Sequence, residues 1–279
     1  MPRIALWQWV SIAVLVAWLY ASVIVRLVHQ WWQDPNFSHG FFVPLFSLYL
    51  IWQKWPRLRA LPRRPSWWGV LIIAFGLGVL IVGSLGAELF LSRFSLLLLL
   101  AGLIVLFLGW NYFREVLFPW AFLIFMIPIP AIIFNQITFP LQILASKIAS
   151  ALLPIFHVPV WREGNIIHLA PIDLEVAEAC SGIRSLVSLL TLSVIYGYLT
   201  EKRVWVRIAL AVASLPIVVA ANSLRIVGTG LAVQYWDVDK AEGFFHLFSG
   251  WLIFVAALAM LYLVHKLLIA CFGRLQGQT

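Results

Sequence analysis

Cys180 stands in "EVAEACSGIRSL", residues 175–186, where a polar stretch turns into a long apolar one. Two acids precede it, Ser181 and Gly182 follow it, and Arg184 comes four residues on. A lone thiol in an apolar chain is often only a small core residue. This setting argues for chemistry. A helix start favours a thiolate, because unpaired backbone N–H groups and the helix dipole meet it there. Arg184 falls on the same helical face. Ser181 and Gly182 let the helix begin in close packing, and the same N–H groups can serve an oxyanion. A cysteine nucleophile also needs a proton-transfer partner and a holder for developing negative charge. Two other stretches supply such groups. "ANSLRIVG" puts Asn222 and Arg225 three residues apart on one helical face. An arginine inside a membrane span is costly, and its default reading is functional. "EGFFHLFSGW" puts His246 at the start of the last apolar run, with Gly250 one turn later to admit a neighbouring helix.

Other polar groups read less sharply. "DPNFSHGFFVP" holds Asp34, Asn36, Ser38 and His39 ahead of an apolar run. It fits a lining of the same pocket and a capped interfacial turn equally well. His39 and Glu178 are the candidates for touching a substrate. Arg162, Glu163 and His168 read as a solvated face. Cys271, in an apolar helix end, reads as a packing residue. The chain has no His-Glu-x-x-His motif, no Gly-x-Ser-x-Gly elbow and no Walker A loop. Its histidines lack metal-ligand spacing. Neither a metal nor a cofactor is expected.

The elements that must position these groups are membrane helices. The chain of 279 residues is 63% hydrophobic and 11% charged, with a mean hydropathy of +0.98. Soluble domains carry roughly 25% charged residues. The sequence therefore predicts an all-α polytopic membrane protein, a single integral-membrane domain over 1–279. The net charge of +8 marks cytoplasmic loops rather than nucleic-acid binding, since no basic stripe with interleaved aromatics is visible. Eight spans are expected, at about 5–27, 39–54, 68–90, 95–111, 115–134, 183–200, 206–230 and 247–270. The first has no small-residue cleavage site after it and reads as a retained span rather than a signal peptide. Trp31, Trp32, Trp52, Trp55, Trp67, Trp68, Trp161 and Trp205 sit at span ends, as in an interfacial aromatic belt.

With the N-terminus in the cytoplasm, the dense basic clusters "QKWPRLRALPRR" and "EKRVWVR" both fall inside. Arg26 and Arg93 then fall outside. Both termini are expected in the cytoplasm. Cys180, Arg225 and His246 come from three successive spans and reach the same outer face. Cys271 lies a membrane thickness from Cys180, too far for a disulfide. Residues 135–156 read as an interfacial or re-entrant helix, with a ninth span as the alternative. After them, Glu163, Gly164 and Asn165 suggest a hairpin turn, and "IDLEVA" alternates like a strand. A small periplasmic β element is expected before span 6.

These blocks resemble the exosortases of the exosortase/archaeosortase family. The resemblance runs through "FSHGFFVPLFSLYLIW", "REGNIIHL", "EVAEACSGIRSLVSLLTLSVIYGYL", "ANSLRIVGTG" and "FFHLFSGW". The Ala-x-x-Cys-Ser-Gly block is its most specific part. It implies a catalytic set of Cys180, Arg225 and His246, with Ser181, Gly182, Arg184 and Asn222 in support. Archaeosortases have an arginine where His246 stands, so the bacterial branch fits better. The resemblance implies a polytopic inner-membrane cysteine transpeptidase. Its substrates would carry a C-terminal sorting signal, made of a Pro-Glu-Pro motif, a transmembrane helix and a basic tail. Cleavage would pass through an acyl-thioester on Cys180, with transfer to a cell-envelope acceptor that the sequence does not name. Membrane lipid is the other expected partner. Some members carry an extra C-terminal periplasmic domain, and none is expected in this chain. Two other readings stay open. One is a non-enzymatic transporter or assembly subunit for exopolysaccharide export. The other is a protease that only hydrolyses the thioester.

Overall fold

The computed structural model describes the backbone of residues 6–176, 182–235 and 244–274; the side chains of 182–184, 244–249 and 272–274, and that of Leu6, lie outside the description. It is 83% helical, which bears out the all-α membrane class. Two compact units divide the chain, Met1–Ala131 and Ile132–Thr279.

The first unit begins with α1 (Leu6–Leu19) and α2 (Ala21–Gln33). They meet at Tyr20 with a bend of 64°. Tyr20 is fully buried, and its hydroxyl shares a 2.9 Å hydrogen bond with Ser95 Oγ. A 3₁₀ turn (Pro35–Phe41) then leads into α3 (Phe42–Gln53) and the short α4 (Trp55–Ala60). α5 (Trp68–Leu85) and α6 (Leu89–Phe107) form the closest pair. The buried residues of α5 are Gly69, Gly76 and Gly83, a seven-residue stripe. A side chain at 69 or 83 would run into the α6 backbone, so the stripe is what lets the two helices approach. α7 (Trp110–Phe122) continues as a 3₁₀ turn, Leu123–Met126.

The second unit holds α8 (Ala131–Leu152), which ends in a 3₁₀ turn (Leu153–Phe156), then β1 (Trp161–Glu163), β2 (Ile166–His168) and β3 (Asp173–Glu175). The strands form one antiparallel sheet in the order β1-β2-β3. Glu163 pairs with Ile166, so Gly164 and Asn165 make a two-residue turn. Gly164 has φ +60°, at the first central position where a type II′ hairpin turn needs glycine. The expected hairpin and strand are therefore present. α9 (Gly182–Thr200), α10 (Val204–Tyr235) and α11 (Phe244–Arg274) complete the unit.

The helices differ from the eight expected spans in one region above all. Among the described residues, five helices are long and apolar enough to cross a membrane by themselves, or six if the bent α1–α2 pair is one span. The stretch 115–134 is not one helix. Ile127, Pro128 and Pro130 interrupt it, because proline neither donates a backbone hydrogen bond nor lets its predecessor adopt helical angles. The residues after the break belong to α8. That helix and its 3₁₀ end, Ala131–Phe156, pass as a candidate span where an interfacial helix was expected first. α3 has 12 residues and is about 18 Å long, short for a hydrocarbon core of about 30 Å. Of the tryptophans expected in an aromatic belt, Trp32, Trp52, Trp67 and Trp68 are exposed, but Trp31 is not. Trp31 is buried and donates from Nε1 to Met126 O at 2.8 Å.

Candidate functional site

α9, α10 and α11 pack as a sequential bundle around Leu186, Leu189, Leu210, Ile217, Ala257 and Leu261. Near one end, Ser185 of α9, Asn222 and Arg225 of α10, and Gly250 and Phe254 of α11 line a common cavity. Asn222 and Arg225 are each 8% exposed. The three-residue spacing places both on one face of α10, as expected, and that face is turned inward.

Gly250 has a different role from the one its spacing suggests. A methyl group built there would meet the Arg225 guanidinium, with Nη2 at 3.7 Å, and no neighbouring helix backbone within 4 Å. The glycine leaves room for the arginine head group. The expected close helix approach is made elsewhere, by the α5 stripe.

Cys180, Ser181 and Glu178 lie outside the described residues, as do the side chains of Arg184 and His246. Gly182 is the first residue of α9. The positions flanking these residues bracket the cavity. Val176 is 1% exposed, and its N–H donates to Asn165 O at 3.0 Å. It belongs to a core with Ile167, Leu174, Ile226 and Val227. Ile226 directly follows Arg225, so the residue that leads toward Cys180 and the residue beside Arg225 share one core. α9 begins at Gly182, one turn before the cavity-lining Ser185. On α11, position 246 lies one helical turn ahead of Gly250.

α10 runs to Tyr235 rather than stopping near 230, so Arg225 sits about 15 Å from its end. The last turns of α10 (Ile226, Val227, Ala232, Val233) pack into the same core as the sheet.

A second, more apolar cavity adjoins the first. Thr138, Leu141 and Gln142 of α8 line it with Leu186, Val218 and Asn222, so Asn222 borders both. Sequence reasoning missed this contribution of α8. The signal was available: Thr138 and Gln142 stand four apart, on one face of the helix.

His39 belongs to the first unit. The segment before α3 is a capped turn: Asp34 Oδ1 accepts from Asn36 N at 2.9 Å, and Ser38 Oγ donates to Pro35 O. His39 Nε2 lies 3.1 Å from Phe125 O. Burial pushes the imidazole below its ordinary pKa, opposed in part by that carbonyl, so the ring is neutral at neutral pH. Arg162, Glu163 and His168 lie on the sheet surface, where His168 Nδ1 meets Asp173 Oδ1 at 2.7 Å. Cys271 is exposed near the far end of α11 rather than packed.

A polar cluster that the sequence pattern does not single out sits at the other end of the bundle. Tyr196 Oη and His265 Nδ1 are 2.7 Å apart, and His265 Nε2 and Glu201 Oε1 are 2.9 Å apart. A carboxylate only accepts, so Nε2 is the donor to Glu201.

Among the described residues no group of acidic, histidine or cysteine side chains is arranged to hold a metal ion. Neither a curated protein nor a solved structure matches the chain. The profile of the transmembrane exosortases (Exosortase_EpsH) matches residues 31–263, a span that includes "EVAEACSGIRSL", "ANSLRIVG" and "EGFFHLFSGW". With most of its length matched, this multi-pass membrane protein belongs to the transmembrane exosortase family.

Proposed function

We propose that the chain is an inner-membrane cysteine transpeptidase that cleaves C-terminal sorting signals of the Pro-Glu-Pro type. The observation that carries this reading is the cavity where α9, α10 and α11 meet. Buried Arg225 and Asn222 open into it, α9 starts at Gly182, two residues after Cys180 in the sequence, and position 246 on α11 lies one turn ahead of the cavity-lining Gly250. The Cys180 thiolate adds to the carbonyl carbon of the scissile amide. The carbonyl π-electrons move to oxygen, and the oxyanion is held by charged donors. The intermediate collapses, the C–N bond breaks, and the leaving nitrogen takes a proton. An acyl-thioester remains, and the acceptor nucleophile attacks it to release the thiolate. Arg225 and His246 share the two tasks of holding the oxyanion and supplying the proton. Asn222, between the polar and the apolar cavity, orients the substrate carbonyl.

Orientation rests on the last three helices alone. Lys202, Arg203 and Arg207 lie where α9 meets α10, and Lys266 and Arg274 lie at the end of α11. The positive-inside rule places that end in the cytoplasm, and it places the cavity end and the sheet in the periplasm. The assignment does not depend on how many earlier helices cross. It matches the side on which a signal with a cytoplasmic basic tail presents its Pro-Glu-Pro motif.

The test uses a tagged substrate co-expressed with the full chain. Mass spectrometry of the product should find a new C-terminus near the motif, and Cys180→Ala should leave the substrate uncleaved. A substrate processed normally by Cys180→Ala would end the reading. A mass matching simple hydrolysis would convert transpeptidase into protease.

A further inference from the structure

We propose that the first unit carries a second site, between α2 and α6, that binds a phosphoryl group. Arg26, His29, Gln30 and Gln33 follow the spacing i, i+3, i+4, i+7 and so share one face of α2. They line an open cavity of about 630 Å³, and Arg93, from the second turn of α6, lines it with them. Arg93 is only 3% exposed. Among the described residues it makes no hydrogen bond and no ion pair. Arg26 spends one donor, Nε, on its own helix at Ser22 O, 3.2 Å away, and has no carboxylate partner. The two guanidiniums are close enough to repel each other.

The nearby acids answer this charge only in part: Glu88 attracts Arg93 from a distance, and neither acid forms an ion pair with either arginine among the described residues. Asp34 lines the cavity, but its Oδ1 caps the following turn at Asn36 N. Glu88 accepts from Leu91 N at the start of α6. A buried guanidinium without a partner is strongly disfavoured. Arg93 is such a buried group, and with exposed Arg26 lining the same cavity the pair calls for an anion with several acceptor oxygens. A phosphoryl group meets that demand, since each arginine can bind it with two parallel N–H donors. The amides of Gln30 and Gln33 and the ring of His29 suit a hydroxylated substituent on the same phosphorus. Val25 and Leu89 add an apolar edge. A phosphodiester lipid headgroup and a free phosphate ester share this chemistry.

The experiment uses the full chain in detergent and in nanodiscs. Native mass spectrometry with phosphatidylglycerol counts the lipids retained. In parallel, glycerol phosphate and inorganic phosphate are titrated while thermal unfolding is followed. Wild type should retain one phosphatidylglycerol at least about tenfold more strongly than Arg26→Gln/Arg93→Gln, the scale expected when charge-assisted bidentate contacts are lost. If lipid is retained while the small phosphates shift nothing, the ligand is a lipid headgroup. If glycerol phosphate raises the unfolding temperature and the lipid is not retained, it is a free ester. Arg26 is exposed, so Arg26→Gln folds whatever Arg93→Gln does, and it should weaken binding severalfold by itself. Equal binding by wild type and a folded Arg26→Gln/Arg93→Gln, or no binding by either, overturns the site. Should the double variant not fold, wild-type binding by Arg26→Gln overturns it.

Discussion

The α9–α11 bundle holds one polar cluster near each end, and they are built on opposite principles. At the basic end, Tyr196, His265 and Glu201 close a chain of two short hydrogen bonds, and His265 is 5% exposed. Arg207 bonds the Glu201 carbonyl at 2.7 Å and lies over the Tyr198 ring. The polar groups of that network bond one another within the protein. At the other end, Arg225 and Asn222 are nearly as buried but border cavities, and Gly250 keeps the space beside the guanidinium clear. A closed network fixes how helices sit against one another. Polar groups held rigidly around an empty space are what a reacting group needs. Both clusters put costly groups into a membrane bundle, and the cavity separates a fastening from a candidate reaction centre.

The sharpest break of this comparison is at the cavity end. Cys180→Ala should abolish processing, because no other nucleophile would carry the acyl group. Arg225→Ala should lose roughly a hundred- to thousandfold in rate, the usual result of removing one oxyanion donor. Arg225→Lys should be severely impaired as well, since lysine keeps the charge but loses the forked geometry. His246→Ala should fail to a similar degree. Conversion of a tagged substrate, in membranes matched for enzyme amount, reads all four. Near wild-type processing by Arg225→Ala would move the centre onto α9 alone.

The basic end should respond in the other currency, stability. His265→Leu removes the shared partner of Tyr196 and Glu201 and should cost roughly 1–3 kcal/mol. Tyr196→Phe removes one hydrogen bond and should cost about 1 kcal/mol. Thermal unfolding of the detergent-solubilised chain measures both. Processing per folded molecule should stay near wild type. A large loss of processing at unchanged stability would mean that the two ends are coupled, and their separation into fastening and reaction centre would fail. Arg184→Ala belongs between the two classes. On the proposed reading Arg184 tunes the thiolate through the start of α9, so its loss should slow processing less than Arg225→Ala does. A pH profile shifted upward, with little change in the plateau, is the expected signature.

Legibility in the sequence tracks the physics of each signal. Hydropathy gave α5, α6, α10 and α11, because long apolar runs have few alternatives in water or lipid. The hairpin was legible because a glycine at the turn between β-branched stretches admits few backbone solutions. The Asn222–Arg225 face was legible because a three-residue spacing on a helix is nearly a full turn. The break at Ile127–Pro130 was overridden by apolar composition, although its two prolines were in plain view. Gly250 was misread because spacing tells that a glycine faces inward and not what it faces. Tyr196, Glu201 and His265 are up to 69 residues apart, and no local pattern joins them before the helices pack. Arg93 looked like an outer-loop base until α6 buried it.

Gly250 offers the finest test of the cavity. Alanine there would place its methyl group 3.7 Å from Arg225 Nη2, an ordinary contact that displaces nothing. In a helix interior alanine is favoured over glycine by up to about 1 kcal/mol. Gly250→Ala should therefore be neutral to slightly stabilising, with processing close to wild type. Gly250→Val adds bulk and branching on the side where the guanidinium lies. It should reduce processing, because it pushes Arg225 off its position without touching the fastened end of the bundle. The pair is measured by the same substrate conversion, with unfolding temperature as the control. If Gly250 instead served close helix packing, like Gly69 against Leu106, alanine itself would be destabilising. A lowered unfolding temperature in Gly250→Ala would thus show that the space belongs to the helix interface and not to the candidate site.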